Sequence, residues 1–410
     1  MSFRAACLTN DVISYCVKRG SPVFTCSLDA EGAFDALPHE IMFAKAINVI
    51  PDHCWTMLVS WYRKITVKIK WGTQLGSSIM IEKGTRQGGL SSPFLFNLFY
   101  QDLINELSLC SGGISIGSMS FNVFNYADDI LLASLTVTGL QRLIDIAHRY
   151  ISDHGLLFNP SKTICSIFGK CTLEPKPVFY LDGVDLDEQD HVRYLGVTLS
   201  YNKPHLHVEN RINACRRAYY ALQGAGFNNK STDVNVISYV WNTAIRPVLM
   251  YGLPSVFINR SRLHDLEKTQ SRLLKAAVHL HKFCGSSPVL TALNISKVEH
   301  SIDVGCLDLV SSIFRNSSRA RPFYLYLVNK HVCANLSSHL DLIGRSKVVC
   351  DKYNVSFLRY IFDKSYATNI RRDILHDNVN RDGLSDSVRQ LLLSCDPYDV
   401  HILNLLLMPF

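Results

Sequence analysis

The 410-residue chain is 47% hydrophobic and 19% charged, a balance that excludes a disordered polyelectrolyte and allows a sizeable core in two or three domains. No run of about 18 apolar residues marks a membrane span. The opening "MSFRAACLTNDVISYCVKRG" lacks the apolar stretch of a signal peptide, so an intracellular protein, in nucleus or cytoplasm, is expected.

The net charge of +7 is uneven. Residues 201–282 hold 12 Lys/Arg against 4 Asp/Glu, a local +8 that leaves −1 for the remainder. So basic a stretch reads either as a polyanion-binding surface or as solvated helix faces. The 13 cysteines are odd in number and show no C-x-x-C spacing, which reads as reduced thiols. Cys165 and Cys171 are the closest pair, and no histidine completes a zinc pattern around them.

In chain order, "VFTCSLD" (23–29) reads as a strand. A helix follows, with Pro38 in its first turn and Asp35 a possible cap. "KITVKIKWGTQLGSSIMIEKG" alternates as a hairpin broken at Gly72. "SSPFLFNLFYQDLINEL" predicts a helix capped by Ser92 with Pro93 at its first position. "FNVFNYADDILLAS" is two short apolar runs flanking a polar pair, as in a hairpin. Leu140, Leu143, Ile144, Ala147 and Ile151 share a helical face that Gly155 ends. Strand-like pieces follow at 163–168 and 192–199. From about residue 200 the period becomes helical throughout, as in Val208, Ile212, Cys215, Tyr219 and Leu222. Residues 283–410 read as further helices without a catalytic pattern.

Adjacent Asp128 and Asp129 repel each other, so the pair sits either at a solvated turn or where something positive binds. Asp29 ends an upstream strand. If the two strands are neighbours, three carboxylates meet at one sheet end, a donor set suited to divalent cations that also hold substrate phosphates. Singly, each has a plain reading: Asp29 starts a turn, and an Asp-Asp hairpin tip is ordinary.

Five segments in order resemble the motifs of reverse transcriptases of non-LTR (LINE-type) retrotransposons. "LDAEGAFDALPHEIM" resembles motif A, "KGTRQGGLSSPFLFNLF" motif B and "NYADDILLAS" motif C. "GLLFNPSKTICSIFG" resembles motif D and "VRYLGVTLS" motif E, while "IRPVLMYGLPSV" looks like the thumb region. The resemblance implies an α+β right-hand polymerase fold. Residues 1–22 would be a remnant of the fingers and 23–200 the palm, an antiparallel sheet packed on helices. Residues 201–282 would be an all-helical basic thumb and 283–410 a helical region without assigned role.

It further implies RNA-directed DNA synthesis with two Mg²⁺ (or Mn²⁺) ions, an RNA template, a DNA primer and deoxynucleoside triphosphates. Asp29, Asp128 and Asp129 match the catalytic aspartates, and Asp29, the Ala30 carbonyl and Asp128 match the metal ligands. Lys162 matches a lysine that can protonate pyrophosphate. Phe34 matches the ring that excludes a 2′-hydroxyl, and Gln87 and Gly88 lie at the incoming nucleotide. Tyr126, Tyr194, Leu195 and Gly196 match primer contacts. Most of the family's fingers and its upstream endonuclease are missing ahead of Asp29, which implies a 5′-truncated copy or a gene model cut short, expected to polymerise poorly alone. A catalytically silent nucleic-acid-binding fragment is the alternative.

Overall fold

A computed structural model describes residues 2–85, 89–229, 231–315, 320–334 and 341–376. Its strands are β1 (Val23–Leu28), the hairpin β2 (Thr66–Trp71) and β3 (Gln74–Met80), β4 (Val123–Tyr126), β5 (Asp129–Ser134), β6 (Ile164–Phe168), β7 (Asp187–Gln189), β8 (Val192–Tyr194) and β9 (Val197–Leu199), with shorter ladders between. The helices used below are α1 (Ser2–Lys18), α2 (His39–Ala46), α3 (Asp52–Tyr62), α4 (Ser92–Leu109), α5 (Val137–Asp153), α6 (Leu206–Gly224), α7 (Val234–Val240), α8 (Arg260–Ala277), α9 (Ser286–Ala292), α10 (Val298–Arg315), α11 (Arg321–Ala334) and α12 (Leu342–Tyr353).

Five strands form one sheet in the order β7-β6-β1-β5-β4, antiparallel except where β7 joins β6. Side chains alternate faces along a strand, and both faces are covered. Phe24, Cys26 and Leu28 of β1, with Ile130 and Leu132 of β5, enter a core shared with Phe96, Phe99 and Leu103 of α4 and Leu140, Ile144 and Ile151 of α5. Val23, Leu131 and Ala133 point the other way, into a core closed by α1 and by Val310, Ile313 and Phe323 of α10 and α11. Two-sided burial explains why β1 and β5 read as nearly unbroken apolar runs.

Local sequence signals account for the element ends. The Thr136 side chain accepts the Gly139 N–H and caps α5. At the other end Gly155 adopts φ 70°, Gly155 N–H bonds Ser152 O, and Leu156 N–H bonds Ile151 O. That is the paired closure of a Schellman motif, which favours glycine. The cap of α4 falls one residue earlier than predicted, at Ser91, and makes no side-chain capping bond. Asp35 does not cap α2. It lies in a separate turn of helix, Ala33–Ala36, and Pro38 occupies the cap position. The hairpin β2–β3 forms as predicted, yet every residue of both strands is exposed. The 192–199 segment is not one strand but the hairpin β8–β9. The 11 cysteines whose side chains are described form no disulfide with one another. Among the described residues no helix is long and apolar enough to cross a membrane.

From residue 206 on, every described regular element is helical. The helices after residue 298 are tied to the amino-terminal helix by a buried charge cluster that the sequence reading missed. Asp11 on α1 is fully buried and Arg345 on α12 nearly so, with the guanidinium 3.9 Å from the carboxylate. Tyr324 Oη and the Leu342 N–H both donate to Asp11 Oδ2, at 3.0 and 3.1 Å, and Arg345 also donates to Pro254 O. Burial pushes the Asp11 carboxyl up to about 6, against the pull of Arg345. Helices α1, α11 and α12 therefore meet on one carboxylate, and Arg345 ties the Pro254 turn to it.

Removing one member of such a pair strands the other charge. Arg345→Met should lower unfolding free energy by about 3–5 kcal/mol, measured by urea denaturation. The double variant Asp11→Asn/Arg345→Met should lose less than the sum of the singles, because no buried charge is left alone.

Candidate active site

Register places the carboxylates. β1 and β5 pair with Leu28 opposite Ile130, so the next residues along, Asp29 and Asp129, are neighbours at the same sheet end. Tyr126 pairs with Asp129 across the β4–β5 hairpin, leaving Ala127 and Asp128 as its two-residue turn. Ala127 has φ 55° while Asp128 does not have a positive φ, the pattern of a II′ turn, which normally takes glycine first. An alanine there stores backbone strain of about 1–2 kcal/mol, and it lies directly beside the candidate ligand.

The Asp29 side is strapped by residues 157–163. Glu31 N–H bonds Leu157 O and Asn159 N–H bonds Asp29 O, at 2.9 and 2.8 Å, around the Ala30–Phe158 bridge. Neither bond uses the Ala30 carbonyl. Asn159 Oδ1 also accepts the Ser161 N–H, which shapes the turn that delivers Lys162. The Lys162 ammonium lies 3.7 Å from Asp29 Oδ2. Both ends are solvent-exposed, so the pair contributes at most about 1 kcal/mol.

The electrostatics show that the three aspartates share one field. Burial, then Asp128, then Asp29 raise the Asp129 carboxyl above its ordinary range, with Arg193 opposing. Even so, among the described residues no three His, Cys, Asp or Glu side chains form a compact metal-holding group. The expected convergence is thus a shared sheet end, not a preformed three-carboxylate cage.

Two buried tyrosines face this end. The Tyr194 phenol is pushed up by burial, then by Asp129 and Tyr126, and the Tyr100 phenol by burial, then by Asp128. Neither hydroxyl has a hydrogen-bond partner in the structure. Tyr126 itself is exposed.

Phe34 lies after Gly32 (φ 52°) and stacks on Phe96 of α4, ring centroids 4.3 Å apart. Its carbonyl accepts the Thr85 N–H at 2.7 Å. Gly84, at φ 93°, passes so close that an added Cβ would stand 2.8 Å from Asp35 O. The 84–85 segment is therefore clamped against the turn that carries Phe34. Gln87 and Gly88, which continue it, lie outside the described residues.

Leu195 and Gly196, both at positive φ, form the β8–β9 turn in the I′ pattern. Tyr251 Oη donates to Leu195 O at 2.8 Å, and its ring leaves no room for a Cβ on Gly196. His207 is a second link. Its Nδ1 accepts the Thr198 N–H and its Nε2 donates to Tyr251 O. The ring is neutral, with burial pulling its pKa down to about 4.

The basic stretch divides into two groups. Arg246 is bound to Ser296 O and Ser301, Arg262 pairs with Glu209 and Asp265, Lys203 pairs with Asp190, Arg211 lies over the Tyr251 ring, and Lys275 is buried. Arg216, Arg217, Arg260, Lys268, Arg272 and Lys282 remain exposed. Lys230 lies outside the described residues. Sequence reasoning also missed Tyr100, Arg193 and Tyr251. Tyr100 reads as an ordinary core aromatic, Arg193 as one polar step in a strand, and Tyr251 lies in the thumb-like segment without a role of its own there.

A strand-end aspartate thus stands beside a hairpin-borne Asp-Asp, with a lysine turn and a second hairpin alongside. The reverse transcriptase (RNA-dependent DNA polymerase) family model matches residues 1–199. Curated relatives extend the similarity further along the chain. A probable RNA-directed DNA polymerase from transposon BS of Drosophila melanogaster is 25% identical over 290 residues, covering 67% of this chain and 31% of the relative. The Pol polyprotein of a type-1 R2 retrotransposable element of Popillia japonica is 25% identical over 284 residues, covering 65% and 44%. The RNA-directed DNA polymerase of mobile element jockey of Drosophila melanogaster is 22% identical over 260 residues, covering 60% and 27%. The chain therefore spans less than half the length of these relatives. Among solved structures, Candida albicans telomerase in complex with a telomeric RNA fragment aligns over 96% of this chain and 52% of its own, at 10% identity and TM-score 0.33.

His207 yields a pH prediction. Its folded pKa of about 4 lies below the unfolded value near 6.5. Unfolded chains bind the extra proton between these values, so this group's contribution is complete above about pH 6.5 and is lost as pH falls to 4. The expected loss is about 3 kcal/mol. It is read as the difference in chemical-denaturation stability between wild type and His207→Gln across that window, which removes the opposing contribution of Asp11.

Proposed function

We propose that the chain carries the palm and thumb of an RNA-directed DNA polymerase of a LINE-type retroelement. Its reaction is transfer of a deoxynucleotidyl group from a triphosphate to a primer 3′-hydroxyl, templated by RNA. The observation that carries the reading is the β1–β5 register, which sets Asp29 beside the Asp128–Asp129 turn. The family match over residues 1–199 supports it.

The donors at this end fit Mg²⁺. Exposed carboxylates and a backbone carbonyl outside the strap hydrogen bonds are hard oxygen donors. Mg²⁺ binds through one or two carboxylates plus substrate phosphates, so it needs no three-carboxylate cage. Asp29, the Ala30 carbonyl and Asp128 would hold two ions. Bound there, Mg²⁺ (or Mn²⁺) supplies Lewis-acid activation of the 3′-hydroxyl and neutralises leaving-group charge.

The other residues position and protonate. Asp129, whose carboxyl is pushed up by burial and by its two neighbours, relaxes that repulsion when cations arrive. Lys162 stands where it can leave Asp29 for the pyrophosphate and give it a proton. Phe34, held flat on Phe96, presents its ring to the sugar and leaves a 2′-hydroxyl no space. Tyr126 and the turn of Tyr194, Leu195 and Gly196, fixed by Tyr251, hold the primer end. Gln87 and Gly88 border the incoming nucleotide.

Primer extension on an RNA template tests this. Asp29→Asn and Asp128→Asn should each lower single-nucleotide incorporation by about 10²-fold or more. Phe34→Val should leave deoxynucleotide use nearly intact and raise ribonucleotide incorporation. Unchanged incorporation in both aspartate variants would refute the assignment, whereas no incorporation by the unsubstituted chain, with nucleic-acid binding retained, would favour a silent nucleic-acid-binding fragment.

A further inference from the structure

We propose that an open cavity of about 530 Å³ between α8 and the segment 281–299 binds single-stranded nucleic acid. It takes one unstacked nucleotide, its base on Phe283 and the adjoining phosphates on Lys268, Arg272 and Lys297. The choice of polyanion rests on the polymerase reading. The site itself lies outside the carboxylate centre and belongs to no motif found in the sequence.

Phe283 is 61% exposed, although the neighbouring Cys284 is buried. A phenylalanine left in water contributes nothing to the core, so packing does not explain it. The Lys282 ammonium sits 5.0 Å from the ring centroid on one side and the His281 ring lies 5.0 Å away. The exposed ring thus has a lysine ammonium and an imidazole beside it, and an aromatic face next to positive charge stacks bases without regard to sequence.

Among the described residues Lys268, Arg272, Lys282 and Lys297 take part in no ion pair. The two acids at the cavity are already committed. Glu267 accepts the Glu299 N–H at 3.0 Å at the start of α10, and Glu299 pairs with Lys352. Below them Lys275, only 6% exposed, donates to Ser286 Oγ at 3.0 Å and to Lys282 O at 3.4 Å. That buried ammonium fixes the loop bearing Phe283 and adds positive potential under the cavity floor. On α8, Lys268 and Arg272 are four residues apart and so project from one face. They also border a second cavity of about 340 Å³ with Arg216, so a strand can run on past the nucleotide. A recess of this volume can admit a base turned out of its stack. A duplex keeps its bases stacked inside and offers only phosphates.

The test is fluorescence anisotropy with a short labelled single-stranded oligonucleotide and the matching duplex, without metal or nucleotide. Phe283→Ala should weaken single-strand binding by about 5- to 20-fold and leave duplex binding unchanged, and Phe283→Trp should restore it. Lys268→Gln with Arg272→Gln should reduce the slope of log affinity against log salt by about 1.4. These side chains are exposed, and circular dichroism confirms that the variants remain folded. Equal loss for duplex and single strand, or a silent Phe283→Ala with displacement of the probe by inorganic polyphosphate, overturns the proposal and leaves a general anion patch. Extension chemistry is read separately: its failure with intact single-strand selectivity counts against the polymerase reading alone.

Discussion

The antiparallel pairing of β1 with β5 is the constraint on which the remaining geometry depends. Its hydrogen bonds fix which residues of two segments about a hundred positions apart stand opposite one another. A slip of one residue would exchange the two faces of β5. Ile130 and Leu132 would leave the α4–α5 core, and Leu131 and Ala133 would leave the α1 side. Two-sided burial therefore enforces the register, and the register delivers Asp29 to the hairpin turn. Stability of the sheet and placement of the carboxylates are one requirement.

A second requirement acts against stability at the same place. Asp128 and Asp129 repel, Ala127 holds a positive φ, and the Tyr100 and Tyr194 hydroxyls are buried without partners. Each feature costs free energy in the protein as it stands, and all lie at one end of the sheet. Such clustering is common where a ligand completes the arrangement. The strap of residues 157–163 and the Tyr251–His207 link hold that end in shape from outside.

Much of this was legible in the sequence because the signals were local. The apolar runs of β1 and β5, the Gly155 closure of α5 and the change to helical period after residue 200 follow from side-chain spacing and turn chemistry. The order of the five motifs supplied the candidate residues. The missed features depend on long-range partners. Nothing near Asp11 reveals Arg345, which is 334 residues away, so the role of the helices after 298 in closing the back of the sheet was invisible. The charge tally of 201–282 likewise counted Arg246, Arg262 and Lys275 as available, whereas the fold commits them to internal partners. The alternation in β2 and β3 promised a buried face that no described element covers.

The central claim is that the sheet end of Asp29 and Asp128 is a divalent-cation site. It is tested most directly by anomalous diffraction from Mn²⁺-soaked crystals of the protein with primer–template and nucleotide bound. The account predicts manganese peaks within coordination distance of both Asp29 and Asp128, and their loss in Asp128→Asn. Manganese located elsewhere, with these two carboxylates free of metal, would contradict it.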